Sequence, residues 1–260
     1  MIRNISASEK ENVELMPGAG PFLFEAGDVG CLLIHGISGS AQVFRAMGER
    51  LAAAGITAHG VLLAGHGTKI SDLHNYTYDD WLSSAEKGLS RLAKRCRLIF
   101  VAGLSMGGVI SLRLAALHPD QVQGLITICA PYRLSKIKFR LVPVAKYFIR
   151  SVRGGLPSIN DPEAHEVNYQ YHSLPAVHQL IKLTGLVRLD LPLIRQPALV
   201  VGARQDRTVS PDDAEQIYRE LGSQEKELLW LDNSQHIAPL DYDRVLLTEA
   251  IIGFIKSHGS

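Results

Sequence analysis

Gly103-Leu104-Ser105-Met106-Gly107 sets one hydroxyl between two glycines where an apolar run meets a helical pattern. A serine hydroxyl is a weak nucleophile until a base takes its proton and a third group orients that base. The run Leu98 to Ala102 reads as a buried strand, and Met106 to Leu117 is apolar nearly all round, as a central helix would be. A sharp strand-to-helix turn would hold Ser105 in a strained backbone conformation at a helix N-terminus, where free N–H groups favour negative charge. Glycines on either side are expected because a side chain there would strike the neighbouring strand or helix. The chemistry that follows is covalent acyl transfer.

The base should come late in the chain and leave the same edge of the sheet. Of ten histidines, His236 and His258 are the last two, and His258 sits in the Ser257-His258-Gly259-Ser260 tail, where fraying is expected. His236 follows the strand-like Leu228 to Leu231 through the polar loop Asp232-Asn233-Ser234-Gln235. It is the candidate base. Asp206, at the end of Ala198-Leu199-Val200-Val201-Gly202-Ala203-Arg204-Gln205, is the candidate orienting acid, with Asp232 the alternative. Asp212 and Asp213 open a helix, where a capping role suffices. Two backbone donors for an oxyanion are expected from Met106 and from Ile37 in His35-Gly36-Ile37-Ser38-Gly39. His35 and His66 are read as loop-shaping residues.

These residues must be carried by a sheet. Cys31 to Ile34 is a continuous apolar run, as expected of a strand buried on both faces. Further strands are expected at 21–25, 56–61, 125–129, 198–201 and 228–231, separated by helical patterns. One helix is opened by Thr77-Tyr78-Asp79-Asp80, and the last is expected from Asp241 to Lys256. Strand–helix alternation predicts a mostly parallel, doubly wound α/β sheet. The first 20 residues read as a loosely held leader. The 260 residues carry a net charge of +1, which argues against a nucleic-acid partner. No signal peptide or membrane span is read, and three cysteines, Cys31, Cys96 and Cys129, have no metal or redox spacing. A cytoplasmic location is the expectation.

Residues 131–190 break the alternation and show helical periodicity interrupted by Pro143, Gly154-Gly155 and Pro157. Helices are expected from Asp161-Pro162 and from near Pro175. This interruption is read as a helical cap, with 1–130 and 191–260 forming the core. Arg133, Lys136, Lys138, Arg140, Lys146, Arg150 and Arg153 lie in it with no acid between Gln121 and Asn160. Transient contact with a lipid surface through this basic segment is one reading. The favoured one is a solvated cap face whose apolar side closes a pocket.

Leu33-Ile34-His35-Gly36, Ala64-Gly65-His66-Gly67, Gly103-Leu104-Ser105-Met106-Gly107-Gly108 and Ser234-Gln235-His236, in this order, resemble the α/β-hydrolase superfamily. Within it the chain is most similar to the bacterial monoacylglycerol lipases and their carboxylesterase relatives. The resemblance covers the core and implies an α/β-hydrolase fold with an inserted helical cap. It implies Ser105, Asp206 and His236 as a triad, Ile37 and Met106 as oxyanion donors, and hydrolysis of carboxylic esters without cofactor or metal. A small ester is the implied partner: a monoacylglycerol or a short-to-medium acyl ester. Ile37 stands where such relatives usually carry an aromatic residue. The looser likeness over the cap puts Glu166, on the helix expected from Pro162, against a glycerol hydroxyl. A thioesterase or carbon–carbon bond hydrolase would use the same triad. A non-catalytic receptor on this fold is the reading from another class.

Overall fold

A computed structural model describes residues 14–134, 137–154 and 158–259 of the chain. Its centre is a seven-stranded sheet: β1 (Phe22–Phe24), β2 (Val29–Ile34), β3 (Ile56–Val61), β4 (Leu98–Leu104), β5 (Gly124–Ile128), β8 (Ala198–Ala203) and β9 (Lys226–Leu231). The spatial order is β1-β3-β2-β4-β5-β8-β9, with β1 antiparallel at one edge and every other pairing parallel. Because six strands run the same way, the loops after β2, β4, β8 and β9 all emerge at one rim.

The helices are α1 (Arg45–Ala53), α2 (Ile70–Leu73), α3 (Tyr78–Ala93), α4 (Met106–Leu117), α5 (Ile137–Arg140), α6 (Val142–Ala145), α7 (Leu174–Asp190), α8 (Pro211–Glu220) and α9 (Arg244–His258). The unbroken apolar run of β2 serves both faces of the sheet. Leu32 and Ile34 pack into one core layer with α3, α4, α7 and α8, and Cys31 and Leu33 into the other with α1 and α9. Each fully buried leucine contributes about 1.5–3 kcal/mol of transfer free energy, so a polar residue in β2 would not be tolerated. At α3, the Thr77 N–H donates to Asp80 Oδ2 at 2.8 Å, the reciprocal half of the expected capping box.

The excursion between β5 and β8 departs from expectation. Asp161 does accept the Glu163 N–H at 3.0 Å, as a cap would, yet no helix follows Pro162. The backbone there is drawn out by partners far away in sequence. Val167 N–H donates to Gln42 Oε1, Ser40 Oγ–H to Val167 O, Gln42 Nε2 to His165 O, and Tyr169 N–H to Ser38 O. A helix would have to give up all of these. The excursion also contains an antiparallel ribbon, β6 (Ser151–Arg153) with β7 (Tyr171–Ser173), that helical periodicity does not predict. α7 does begin near Pro175, at Leu174, with Ser173 Oγ accepting the Ala176 N–H, and its Leu183 and Val187 are buried in the core layer that α3 and α4 share.

Around α6 the apolar side chains do not all turn inward. Leu141, Val144, Tyr147 and Phe148 are 64–84% exposed, against the expectation of an inward-closing face, whereas Val142 is buried. The expected leader is fastened where it is described: Met16 N–H donates to Gly67 O at 2.7 Å and Ala19 is fully buried. Residues 1–13 and Lys136 lie outside the described residues. The last helix starts at Arg244, three residues later than expected, because the Asp241 carboxylate is otherwise engaged (below). No helix among the described residues is long and apolar enough to cross a membrane.

Candidate active site

Ser105 lies between β4 and α4 with φ +54° and ψ −118°, an outlying conformation for a residue with a side chain. It is held there from both sides. Its N–H donates to Ile128 O of β5 at 2.8 Å, and its C=O accepts the Gly108 and Val109 N–H groups. The flanking glycines answer to close approach: a Cβ on Gly103 would lie 2.1 Å from the Gly107 carbonyl carbon, and one on Gly107 would lie 1.9 Å from Ile34 O. The strain is thus carried by the serine, and the glycines let α4 sit directly on the strands. Met106 N–H heads α4, where first-turn amides have no intrahelical partner.

The loop after β2 stands beside this hydroxyl. A Cβ on Gly36 would meet Ser105 Cβ at 3.3 Å and Oγ at 4.0 Å. Its shape is fixed by His35, whose Nδ1–H donates to Gly36 O at 2.8 Å while Nε2 accepts the Leu63 N–H at 3.1 Å. Both ring nitrogens are used by backbone, so His35 is a neutral structural imidazole, and burial pushes its pKa down to about 4. Burial also pushes His66 well down; its ring meets His35 edge to face at 4.9 Å. Ile37 lies between these fixed points, partly buried against the core.

Asp206 and His236 meet across the loops after β8 and β9. His236 Nδ1 donates to Asp206 Oδ2 at 2.7 Å, and both side chains are at most 6% exposed. Asp206 Oδ1 accepts the Thr208 and Val209 N–H groups at 2.7 and 2.9 Å, which fixes the carboxylate. The other candidate acid, Asp232, pairs with Arg204 at 2.9 Å on the surface instead. His258 lies against Phe254 and Glu225 at the end of α9. Asp213 sits in the first turn of α8 and its carboxylate takes backbone N–H groups of Tyr132 and Arg133.

Glu166 reaches the site from an extended segment rather than a helix. A Cβ on Gly39 would be 3.0 Å from Glu166 Oε1, so its carboxylate rests on the loop after β2. Burial pushes its pKa up, opposed by the Asn168 amide, which donates to Oε2, and by the charge of His236. One neighbour was not foreseen. Cys129, just after β5 with φ +48°, is buried with its Sγ within 4.8 Å of Asp206 and His236. Burial first, and the Asp206 charge second, hold its thiol well above the usual range, so it is protonated and unreactive. Cys129, Asp206 and His236 are also the described group whose ligand atoms, within 4.8 Å of one another, could hold a metal. Two of the three are already bonded to each other. Nothing in the spacing of the cysteines signals this contact, which depends on β5 and β8 being neighbours.

The sequence profile of the family described as "Serine aminopeptidase, S33" matches residues 28–243. A thermostable monoacylglycerol lipase of Bacillus sp. (strain H-257) is 35% identical over 250 residues, covering 95% of this chain and 98% of that protein. A carboxylesterase of Bacillus subtilis (strain 168) is 29% identical over 239 residues, covering 91% and 96%. Among solved structures, one from work on the metagenome-derived lipolytic enzymes LipS and LipT superposes with a TM-score of 0.91 at 33% identity, covering 94% of this chain and all of the other. With a profile match over most of its length and a relative of this identity and coverage, the chain belongs to the serine aminopeptidase S33 family of α/β-hydrolases.

Proposed function

We propose that this chain is a serine carboxylic ester hydrolase acting on monoacylglycerols or short-to-medium acyl esters through an acyl-enzyme. The observation that carries the reading is the 2.7 Å bond from His236 Nδ1 to Asp206, at the rim where the strained Ser105 turn also emerges. In this reading Nε2 of His236 takes the Ser105 proton as the hydroxyl attacks the ester carbonyl. The Ile37 and Met106 N–H groups hold the oxyanion. His236 then gives the proton to the leaving alcohol and activates a water that clears the acyl group. Asp206 fixes the tautomer that leaves Nε2 free to accept.

Glu166 is the proposed partner of a substrate glycerol hydroxyl. Its carboxylate, resting on the loop that carries Ile37, supports that role. The test of the whole reading is hydrolysis of p-nitrophenyl butyrate and of a monoacylglycerol series by wild type beside Ser105→Ala. Wild-type activity lost in the variant is the expected result. Acyl-coenzyme A turnover faster than any ester would replace it with a thioesterase. No turnover and no fluorophosphonate labelling would leave a ligand-binding receptor.

One further observation favours transient contact with an anionic lipid surface: Tyr147 and Phe148, 77% and 84% exposed, lie among Lys146, Arg150 and Arg153. Co-sedimentation with phosphatidylglycerol vesicles, weakened by Phe148→Ser and absent with phosphatidylcholine alone, is the outcome this predicts. Three free, buried thiols support a reducing, cytoplasmic setting.

A further inference from the structure

Residues 158–161 run from the excursion back over the loops that bear Asp206 and His236, and their polar groups are spent there. Ser158 O accepts the N–H of Ile237, the residue after His236, at 3.0 Å. Asn160 and Asp161 donate their N–H groups to the Asp241 carboxylate at 2.9 and 3.0 Å. The same carboxylate accepts the N–H of Gln235, the residue before His236, at 2.7 Å, and that of Tyr242 at 2.9 Å. Asp241 is fully buried. One enclosed carboxylate therefore takes four backbone N–H groups, two from the excursion, one from Gln235 beside His236 and one from its own neighbour Tyr242.

The Asn160 side chain extends the fastening to the acid. Its Nδ2 donates to Gln205 Oε1 and to Asn233 O, both at 2.9 Å, and its Oδ1 accepts Gln235 Nε2 at 2.6 Å. Gln205 immediately precedes Asp206. Both chain neighbours of His236 and one of Asp206 are thus tied to a single four-residue run. The loop from 232 to 237 has no regular secondary structure to hold its backbone. Asp243 fastens its start by accepting the Asn233 N–H and the Ser234 hydroxyl, and the bonds to Ser158, Asn160 and Asp241 fasten the residues on either side of the imidazole.

We propose that Asp241 and Asn160 are positioning residues: they fasten the return run of the excursion to the Asp206 and His236 loops, so that the excursion's anchor aims the base. This rests on reading His236 as the base. Neither residue is expected to touch substrate. An asparagine at 241 would turn an amide NH2 against at least one pair of N–H donors, whichever way it flips, and open the clasp on one side. A base displaced by about 1 Å costs on the order of 100-fold in rate.

The experiment is steady-state hydrolysis of p-nitrophenyl butyrate by the full chain, by Asp241→Asn and by Asn160→Ala, with urea unfolding curves for each. The rate of Ser105 labelling by a fluorophosphonate is measured alongside. In the folded proteins, kcat should fall about 10- to 100-fold for Asp241→Asn and about 3- to 10-fold for Asn160→Ala, with KM within about threefold. Labelling, which needs the same base, should slow in proportion. A purely structural staple would lower the unfolding midpoint and leave kcat per folded molecule unchanged, and that result overturns the proposal. So does a loss confined to KM. Should Asp241→Asn fail to fold, Asn160→Ala decides, since its half-buried amide can be removed without stranding a charge. The underlying reading fails separately, by an active His236→Ala or a wild type that cleaves no ester.

Discussion

Asp206 uses both oxygens of its carboxylate, Oδ2 for His236 Nδ1–H at 2.7 Å and Oδ1 for the N–H groups of Thr208 and Val209. An asparagine cannot satisfy all three donors. If its oxygen faces His236, its NH2 opposes two N–H groups; if it flips, the imidazole loses its acceptor and its tautomer. Asp206→Asn should therefore lower kcat for p-nitrophenyl butyrate by about 10³- to 10⁴-fold with little change in KM. Asp232→Asn breaks an exposed pair with Arg204 and should leave kcat within about twofold. Equal losses in the two variants would return the assignment of the acid to open question.

The buried pair of histidines predicts acid lability. His35 is neutral in the fold, its pKa pushed down by burial to about 4, whereas in the unfolded chain it takes a proton near the ordinary 6.5. The unfolded state binds more protons between these values, so stability is whole above pH 6.5 and is lost as pH falls toward 4. The slope is about 1.4 kcal/mol per pH unit, or roughly 3 kcal/mol in all for His35. His66, also pushed down by burial, acts in the same direction. Urea unfolding at pH 7.5, 5.5 and 4.5 should show the midpoint falling, and His35→Gln should flatten that dependence. A flat wild-type profile over this range would contradict the neutral, enclosed imidazole.

The sequence carried the sheet because the sheet is written in short-range terms. Cys31 to Ile34 can serve two core layers only as a strand covered on both faces, and Gly103 to Gly107 can turn only where helix and strands touch closely. The His236 loop was legible for the same reason, since it follows a strand on a fixed rim. The excursion was not. Asp161-Pro162 has the local look of a helix start, but Ser38, Ser40 and Gln42, about 120 residues earlier, take up the backbone that a helix would need. β6 and β7, three residues each, are too short to show an alternation. Asp241 likewise resembles a helix cap until Asn160 and Asp161 are brought to it from 80 residues away.

Two kinds of glycine in helices should respond oppositely to alanine. At Gly107 the new Cβ would lie 1.9 Å from the Ile34 carbonyl oxygen, a backbone contact that cannot relax without parting α4 from β2. Gly107→Ala should cost more than about 3 kcal/mol or abolish soluble expression. Gly185, in the exposed interior of α7, has nothing within 4 Å of its added Cβ. Gly185→Ala should raise stability by about 0.5–1 kcal/mol through helix propensity alone. Denaturant midpoints of the two variants check both signs, and a destabilised Gly185→Ala would show that α7 does not stand as described.

Glu166 is the residue on which substrate choice turns in the proposed function. Its carboxylate lies on the Gly39 segment of the loop carrying Ile37, enclosed enough for burial to raise its pKa, and the Asn168 amide leaves acceptor capacity on its oxygens. A glycerol hydroxyl donating to a shielded carboxylate is worth more than one donating to a neutral amide, by about 1–2 kcal/mol. Glu166→Gln should therefore lower kcat/KM for a monoacylglycerol by about tenfold while leaving that for the matching methyl ester, which has no glycerol hydroxyl, within about twofold. The ratio of the two substrates, measured on the same enzyme preparation, cancels errors in active concentration. An unchanged ratio would remove Glu166 from the alcohol side of the pocket and leave it as a brace for the oxyanion loop, where both substrates would be slowed alike.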